Sequence, residues 1–249
     1  MPPYKTRGIV VRSRDFTETS RLVNFLTPDG GLVKTLAKGA LRPASPLRGK
    51  LEPWNYGHLV YYPSRSSDLH VLAQFDLIEH YPRAVETLER SALFHYLAEL
   101  VSAAAFGPEL SGGLFQLLLH TLRRGERLRA LPQARIWFEI RYLYLLGVLP
   151  PLAACARCSG PMEGAVRFSP AESRWLCRKC PAGGDSVAVE PGVIAAVRYI
   201  QDNRLDQVMN LKLSPRQFRV IRGLLRYLVD STVGKKLKSR RFLDQVVRP

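Results

Sequence analysis

The stretch SRLVNFLTPDGGLVKTLAKG, residues 20–39, decides how the first third of the chain is read. Two runs rich in β-favouring residues flank PDGG (28–31), where Pro28, Asp29 and Gly30 supply turn chemistry, so the stretch predicts a β-hairpin. Upstream, TRGIVVRSR (6–14) is β-branched and basic and reads as another strand. Downstream, YGHLVYYP (56–63), the polar turn SRSSD (64–68) and LHVLAQFDLIE (69–79) form a second hairpin signature. Five strands within residues 1–80, with one longer connection after the third, predict a five-stranded OB-fold β-barrel. An open five-stranded sheet is the simpler alternative.

That longer connection lies in VKTLAKGALRPASPLRGK (33–50), which carries Lys34, Lys38, Arg42, Arg48 and Lys50 and no acidic residue. A solvated face usually mixes both signs. In OB-folds the end of the third strand and the loop leaving it lie beside the surface that holds oligonucleotides. The segment therefore reads as a site for a phosphate backbone, with Pro43 and Pro46 expected to keep it extended and stiff. Tyr61 and Tyr62, at successive strand positions, point to opposite faces, so at most one is available to stack a base. For Trp54, core packing is at least as strong an expectation as stacking.

Over 249 residues, 37 Lys and Arg face 21 Asp and Glu, a net charge of +16. That surplus makes polyanions the default partner, nucleic acid before an anionic membrane. The excess sits at the two ends. Residues 1–80 carry 11 basic and 7 acidic side chains and residues 191–249 carry 13 and 4, whereas 81–150 and 151–190 are nearly balanced. With 46% hydrophobic and 23% charged residues the chain reads as folded rather than disordered. No apolar run reaches the ~18 residues of a membrane span, and MPPYKTRGIV lacks the apolar core of a signal peptide. A cytoplasmic, nucleoid-associated protein is expected, with no membrane partner.

From residue 84 the pattern turns helical. AVETLERSALFHYLAELVSAAAF (84–106), LFQLLLHTLRR (114–124) and ARIWFEIRYLYLLG (134–147) space their apolar residues as core helices, and Pro150 and Pro151 stop the last. A helical domain over 81–249 is expected. His95 and His120 sit on these helices without ligand-type neighbours and read as structural.

Inside that domain, Cys155-Ala-Arg-Cys158 and Cys177-Arg-Lys-Cys180 form C-x2-C-x18-C-x2-C. A two-residue spacer lets one tight turn aim two thiolates at a single ion, and Zn²⁺ takes four such ligands in a tetrahedron. The segment AVRFS (165–169) and RWLC (174–177) look like hairpin arms, so residues 152–187 read as a zinc ribbon inserted in the helical domain. All four cysteines are used, which makes one structural Zn²⁺ the expectation; two disulfides or four thiols are the alternatives.

A second basic element is SPRQFRVIRGLLRYLVD (214–230), with Ser214 and Pro215 as a helix start. Arg216, Arg219, Arg222 and Arg226 share one side of a helical wheel, opposite Phe218, Ile221, Leu225 and Leu228. GKKLKSRR (234–241) follows with Lys235, Lys236, Lys238, Arg240 and Arg241. A single-sign face running into a basic tail favours DNA over a merely solvated surface. No P-loop, no H-E-x-x-H and no close carboxylate cluster occurs, and the Asp68/His70 pair reads as coincidental, so no catalytic residue and no enzyme is expected.

Taken together, TRGIVVRSRDFTETSRLVNFLTPDGGLVKTLAKGALRP, FEIRYLYLLGVLPPLAACARC and CRKCPAGG resemble the RecO family of bacterial recombination mediators. The resemblance runs to about residue 185 and fades beyond it. It implies an OB-fold joined to a helical domain with a zinc finger, a protein that binds single- and double-stranded DNA and anneals complementary strands, including strands coated by single-strand-binding protein. It also implies action with RecR to load RecA, and contact with the acidic C-terminal tail of single-strand-binding protein. Carried over by position, Lys34, Lys38, Arg42, Arg48 and Lys50 match the family's basic N-terminal segment, and Cys155, Cys158, Cys177 and Cys180 its zinc ligands. The C-terminal arginines are not part of the resemblance. The competing reading is a zinc-ribbon transcription regulator, which would need an element aimed at base edges.

Overall fold

The hairpin around PDGG forms as expected. In a computed structural model, which describes every residue except 1, 105, 106, 126, 150, 151, 153, 163, 165, 170–173, 182–185, 248 and 249, β1 (Tyr4–Asp15), β2 (Arg21–Thr27) and β3 (Gly31–Ala37) are joined to β4 (Tyr56–Tyr62) and β5 (Leu69–Glu79). Pro150 and Pro151, Ala165 of the first ribbon arm, and Gly183 and Gly184 fall outside the described residues. The five strands close into a barrel in the order β1-β2-β3-β5-β4, with β1 paired to β4. All pairings are antiparallel except β3 with β5, which is parallel because the long connection carries the chain across the barrel before β4 and β5 form their hairpin. This is the OB-fold.

Alternation explains the barrel's interior. β3 buries Val33, Thr35 and Ala37 and turns Lys34 outward, and Thr35 satisfies its hydroxyl on the Val23 carbonyl at 3.1 Å. Val10, Val23, Phe25, Leu59 and Phe75 complete the core, with the Phe25 and Phe75 rings 5.2 Å apart. Gly57 is required where β4 meets β5: a Cβ there would lie 2.2 Å from the Asp76 carbonyl oxygen. In β1 the register shifts between Val10 and Arg12. This bulge lets Ile9, Val10 and Val11 all be buried and re-aims the following residues, so Arg12 and Arg14 face outward.

The connection after β3 is not the extended strut expected from its prolines. It winds through successive turns, with Arg42 N–H donating to Gly39 O, Ser45 N–H to Arg42 O and Arg48 N–H to Ser45 O. The reason is apolar anchoring: Ala40, Leu47 and Leu51 insert into the barrel core, and a coiled path is needed to bring them there. Trp54 closes the segment. It is fully buried against Phe94 and His95 at 5.7 Å, in a left-handed backbone conformation (φ 73°), so it packs the core and does not stack bases.

Two helices follow in the same unit, which comprises residues 1–127 with 237–246. Pro82–Ala84 forms a 3-10 turn, so α1 runs from Leu88 to Ala103, capped by Thr87, whose hydroxyl accepts from the Arg90 N–H. α2 (Gly107–Gly125) starts seven residues before the apolar run that predicts it. Its small residues Ser111 and Gly112 weaken intrinsic helicity, yet they lie against the β2–β3 turn: a Cβ on Gly31 would come within 3.0 Å of the Ser111 hydroxyl, and one on Gly112 would be in ordinary contact with the Pro28 carbonyl at 3.5 Å.

The second unit comprises residues 128–236 with 247–249. α3 (Leu131–Leu145) buries its middle, Ala134–Ile140 with Tyr142 and Leu143, and carries a buried Arg135–Glu139 ion pair at 2.9 Å. β6 (Val166–Ser169) pairs with β7 (Arg174–Leu176), as the ribbon reading expects, and also with β8 (Val187–Val189), which it did not anticipate, giving a sheet ordered β7-β6-β8. α4 (Pro191–Asp202), α5 (Leu205–Val208) and α6 (Pro215–Val233) follow. The expected basic tail is a helix: α7 (Lys238–Val246) belongs to the first unit, where it packs on α1 and Glu99 caps it by accepting from the Lys238 and Ser239 N–H groups at 3.0 and 2.8 Å. By packing, α1, α2 and α7 group with the barrel. Among the described residues no helix is long and apolar enough to cross a membrane.

Candidate nucleic-acid interfaces and cysteine centre

Strand register builds the first interface. Residues paired across a sheet point to the same side. Arg12 pairs with Asn24, Asn24 with Lys34 and Lys34 with Leu69, a transverse row over four strands. The next row runs Arg14, Leu22, Leu36, Val71 and Tyr62. Both rows lie outside the barrel, and Arg12, Arg14, Leu22, Asn24, Lys34, Asp68 and Leu69 line a groove of about 320 Å³. Three cations and apolar shelves thus share the groove, and one half-exposed ring, Tyr62, lies at the β4 end of the second row. Guanidinium and ammonium groups can take phosphates and an exposed ring can carry a base, the combination that single-strand-binding surfaces use. Tyr61 faces inward, stacked on His70 at 5.1 Å.

Arg12 and Arg14 are absent from the sequence-based candidates, although their i, i+2 spacing in a strand was visible. Of the expected residues, Lys34 joins the groove. Lys38, Arg42 and Arg48 are exposed on or just before the turn-rich connection, and Lys50 is half-buried there. Lys34 is ion-paired with Asp68, which explains the Asp68/His70 pair: Asp68 faces the groove, whereas His70 Nδ1 accepts from the Ser64 N–H at 3.1 Å. The hydrogen bond from Lys34 holds the Asp68 carboxyl below the usual range, so it stays ionised and competes with phosphate for Lys34. Asp68→Asn is therefore expected to raise single-strand affinity severalfold and steepen its salt dependence, read by fluorescence anisotropy across a salt series; unchanged affinity would mean that Lys34 takes no part in binding.

The second interface is on α6. Its apolar stripe buries Phe218, Ile221, Leu225, Leu228 and Val229, leaving Arg216, Arg219 and Arg226 exposed and Arg222 half-buried with its guanidinium 5.7 Å from the Phe218 ring. Ser214 and Gln217 form a reciprocal capping box, and Gly234, left-handed at φ 65°, ends the helix. Arg216 pairs with Glu190, an acidic partner that helical spacing could not reveal, and Arg226 lies 4.0 Å from Asp230. Lys235, Lys236, Lys238 and Arg241 are exposed. Arg240 is withdrawn as a DNA contact: it lies on the buried face of α7 with 6% exposure.

The cysteines come together in the second unit. All four Sγ atoms lie within 4.8 Å of one another, and none is in a disulfide. Cys155 to Cys180 and Cys158 to Cys177 both measure 3.7 Å between sulfurs. Zn–S bonds of about 2.3 Å require a tetrahedral edge of about 3.8 Å, so the residues fit a divalent ion of that kind. Burial would raise the Cys155 thiol, but backbone N–H groups of Cys177, Cys158 and Arg157 outweigh it and bring the pKa down to about 6. Cys180 is pushed up to about 12, first by its hydrogen bond with Cys158 and then by burial. Four sulfurs this close cannot all ionise without a cation between them.

A closed OB barrel with a basic, ring-bearing face, joined to helices and a Cys₄ centre, defines a nucleic-acid-binding class of protein. The chain belongs to the recombination protein O family: the model of that protein's N-terminal region matches residues 1–81 and the model of its C-terminal region residues 85–241. It is similar to proteins named DNA repair protein RecO, at 32% identity to that of Anaeromyxobacter sp. (strain K), covering 99% of this chain and 98% of the relative. The corresponding figures are 31%, 98% and 95% for Pelotomaculum thermopropionicum, and 31%, 98% and 96% for Exiguobacterium sp..

Proposed function

We propose that the protein is a recombination mediator of DNA repair that binds single- and double-stranded DNA, anneals complementary strands, including strands coated by single-strand-binding protein, and acts with RecR to load RecA. The observation that carries this reading is the pair of transverse rows on the barrel, Arg12–Asn24–Lys34–Leu69 and Arg14–Leu22–Leu36–Val71–Tyr62. That face recognises charge and base planes rather than base edges, which suits a protein that must accept any sequence. The α6 arginines with Lys235 and Lys236 in the second unit, and Lys238 and Arg241 on α7 in the first, each offer further cations, and screening two strands lowers their mutual repulsion. The cysteines hold one structural Zn²⁺ that takes no part in a reaction; the protein works by binding in the cytoplasm, not by covalent catalysis. The acidic tail of single-strand-binding protein is a further expected partner, attracted by the chain's positive charge.

The test is annealing of two complementary oligonucleotides, each precoated with single-strand-binding protein, without ATP. Acceleration that fades with salt and with Lys34→Glu is expected. DNA binding without acceleration would overturn the mediator reading, and binding that discriminates between sequences by several kcal/mol would favour a transcription regulator.

A further inference from the structure

The apolar groove beside α6 has no part in the binding described above. Within the second unit, Phe168, Val187 and Val189 of the small sheet and Val220, Gly223, Leu224 and Tyr227 of α6 enclose a groove of about 420 Å³, with Arg219 at its rim. Small-ligand clefts run from roughly 300 to 1,000 Å³. Register explains the sheet side: Phe168 pairs with Val187, and Val189 is two residues on, so all three point the same way. On the helix side Val220, Gly223, Leu224 and Tyr227 follow the i, i+3, i+4, i+7 spacing of a single stripe.

Gly223 is the informative residue. It stands in the interior of α6, where glycine weakens a helix relative to alanine. Its backbone is not left-handed, and a Cβ built on it meets nothing within 4 Å, so neither conformation nor packing demands a glycine. What its missing side chain does is leave the floor of the groove open. Tyr227, 47% exposed, and Val187, 53% exposed, keep apolar surface in water at the same place.

We propose that this groove receives an unpaired base of single-stranded DNA while the arginines of α6 hold the adjoining phosphates. The inference rests on the DNA-binding reading of α6 and adds to it a preference for unpaired strands. Charge selects the occupant: Arg219 lines the groove, Arg216 (paired with Glu190) and Arg226 (4.0 Å from Asp230) are exposed on the same helix, and α6 itself has no acidic residue before Asp230. Apolar walls suit the flat faces of a base, and the Tyr227 ring supplies a stacking surface. A base in duplex has both faces covered by its neighbours and cannot enter. The other occupant such a groove suggests, an extended peptide laid on the edge strand β8, must satisfy its own backbone groups, and the lining side chains bring only the Arg219 guanidinium and the Tyr227 hydroxyl.

The test compares a dT oligonucleotide with an abasic strand of the same length and charge, and with duplex, on the full chain. Gly223→Leu fills the floor and removes a helix-weakening residue, so its melting temperature should equal or exceed that of the parent. It should reduce dT affinity about tenfold, the loss of one stacked base, while abasic-strand affinity, duplex affinity and all salt slopes stay unchanged. Tyr227→Ala should act in the same direction. Unchanged dT affinity in both variants, or an equal loss on dT, abasic strand and duplex, would overturn the proposal, and the groove would then be assigned to a peptide. A parent protein that binds no single-stranded DNA would instead sink the DNA reading itself, which keeps the two failures apart.

Discussion

Replacing Arg12 and Arg14 together by glutamate is expected to lower affinity for single-stranded DNA roughly 100-fold. Two charge-assisted hydrogen bonds at about 1.5 kcal/mol each amount to about 3 kcal/mol, and a factor of ten corresponds to about 1.4 kcal/mol. The slope of log affinity against log salt should also become shallower by about 1.4, since each phosphate contact on a single strand contributes about 0.7. Both side chains are exposed on the barrel wall, so the melting temperature should not move. The informative comparison is with Arg42→Glu/Arg48→Glu on the connection after β3. Register groups the cations of β1 and β3 on a face built from β1, β2, β3 and β5, where the proposal puts the strand; the charge run in the sequence points to the connection. Anisotropy titrations of both variants across a salt series decide between them. A larger loss from the connection variant would show that the groove is not the primary site.

The difference between those two placements shows what was legible in the sequence. Local signals carried well: the PDGG turn, the alternation of β3, the Ser214–Pro215 start of α6 and the cysteine spacing all have short-range physical causes, and each element formed. What failed depended on pairing across the chain. Arg12 and Arg14 become an interface only when β1 is aligned with β2 through the bulge at Val10–Arg12, and no local pattern announces that shift. The connection's prolines suggest an extended path, but the anchoring of Leu47 and Leu51 in the barrel outweighs them. Arg240 looked like one more cation in a basic run until the Glu99 cap and α1 set which face of α7 is buried. Arg216 looked unpaired because Glu190 lies 26 positions upstream. Gly223 sat unremarked among four arginines, since a glycine's purpose is read from the space around it.

Removing the zinc proposed for the four cysteines should have the other large effect, confined to the second unit. Strands β6, β7 and β8 are three or four residues each, too short to hold themselves by pairing alone. Apparent zinc binding to four-ligand peptides is about 10–16 kcal/mol, against about 5–15 kcal/mol for the whole stability of a typical domain. Cys177→Ala, which removes a buried ligand, should therefore abolish stoichiometric zinc, lose the tetrahedral thiolate spectrum on Co²⁺ substitution, and lower the melting temperature of the second unit by tens of degrees. Exhaustive chelation of the parent should do the same. The barrel has its own core of Val10, Phe25, Leu59 and Phe75 and contains no cysteine. Its Arg12 and Arg14 contribution to the salt slope should survive, while the base preference that depends on Phe168, Val187 and Val189 should vanish, because those residues lose the sheet that aligns them. Zinc content by mass spectrometry, paired with dT and abasic-strand titrations of the same preparations, reads both outcomes. If metal-free protein kept its sheet and its preference for unpaired bases, the ribbon would have to be held by packing of Phe168 and Trp175 alone, and the cysteines would need another purpose.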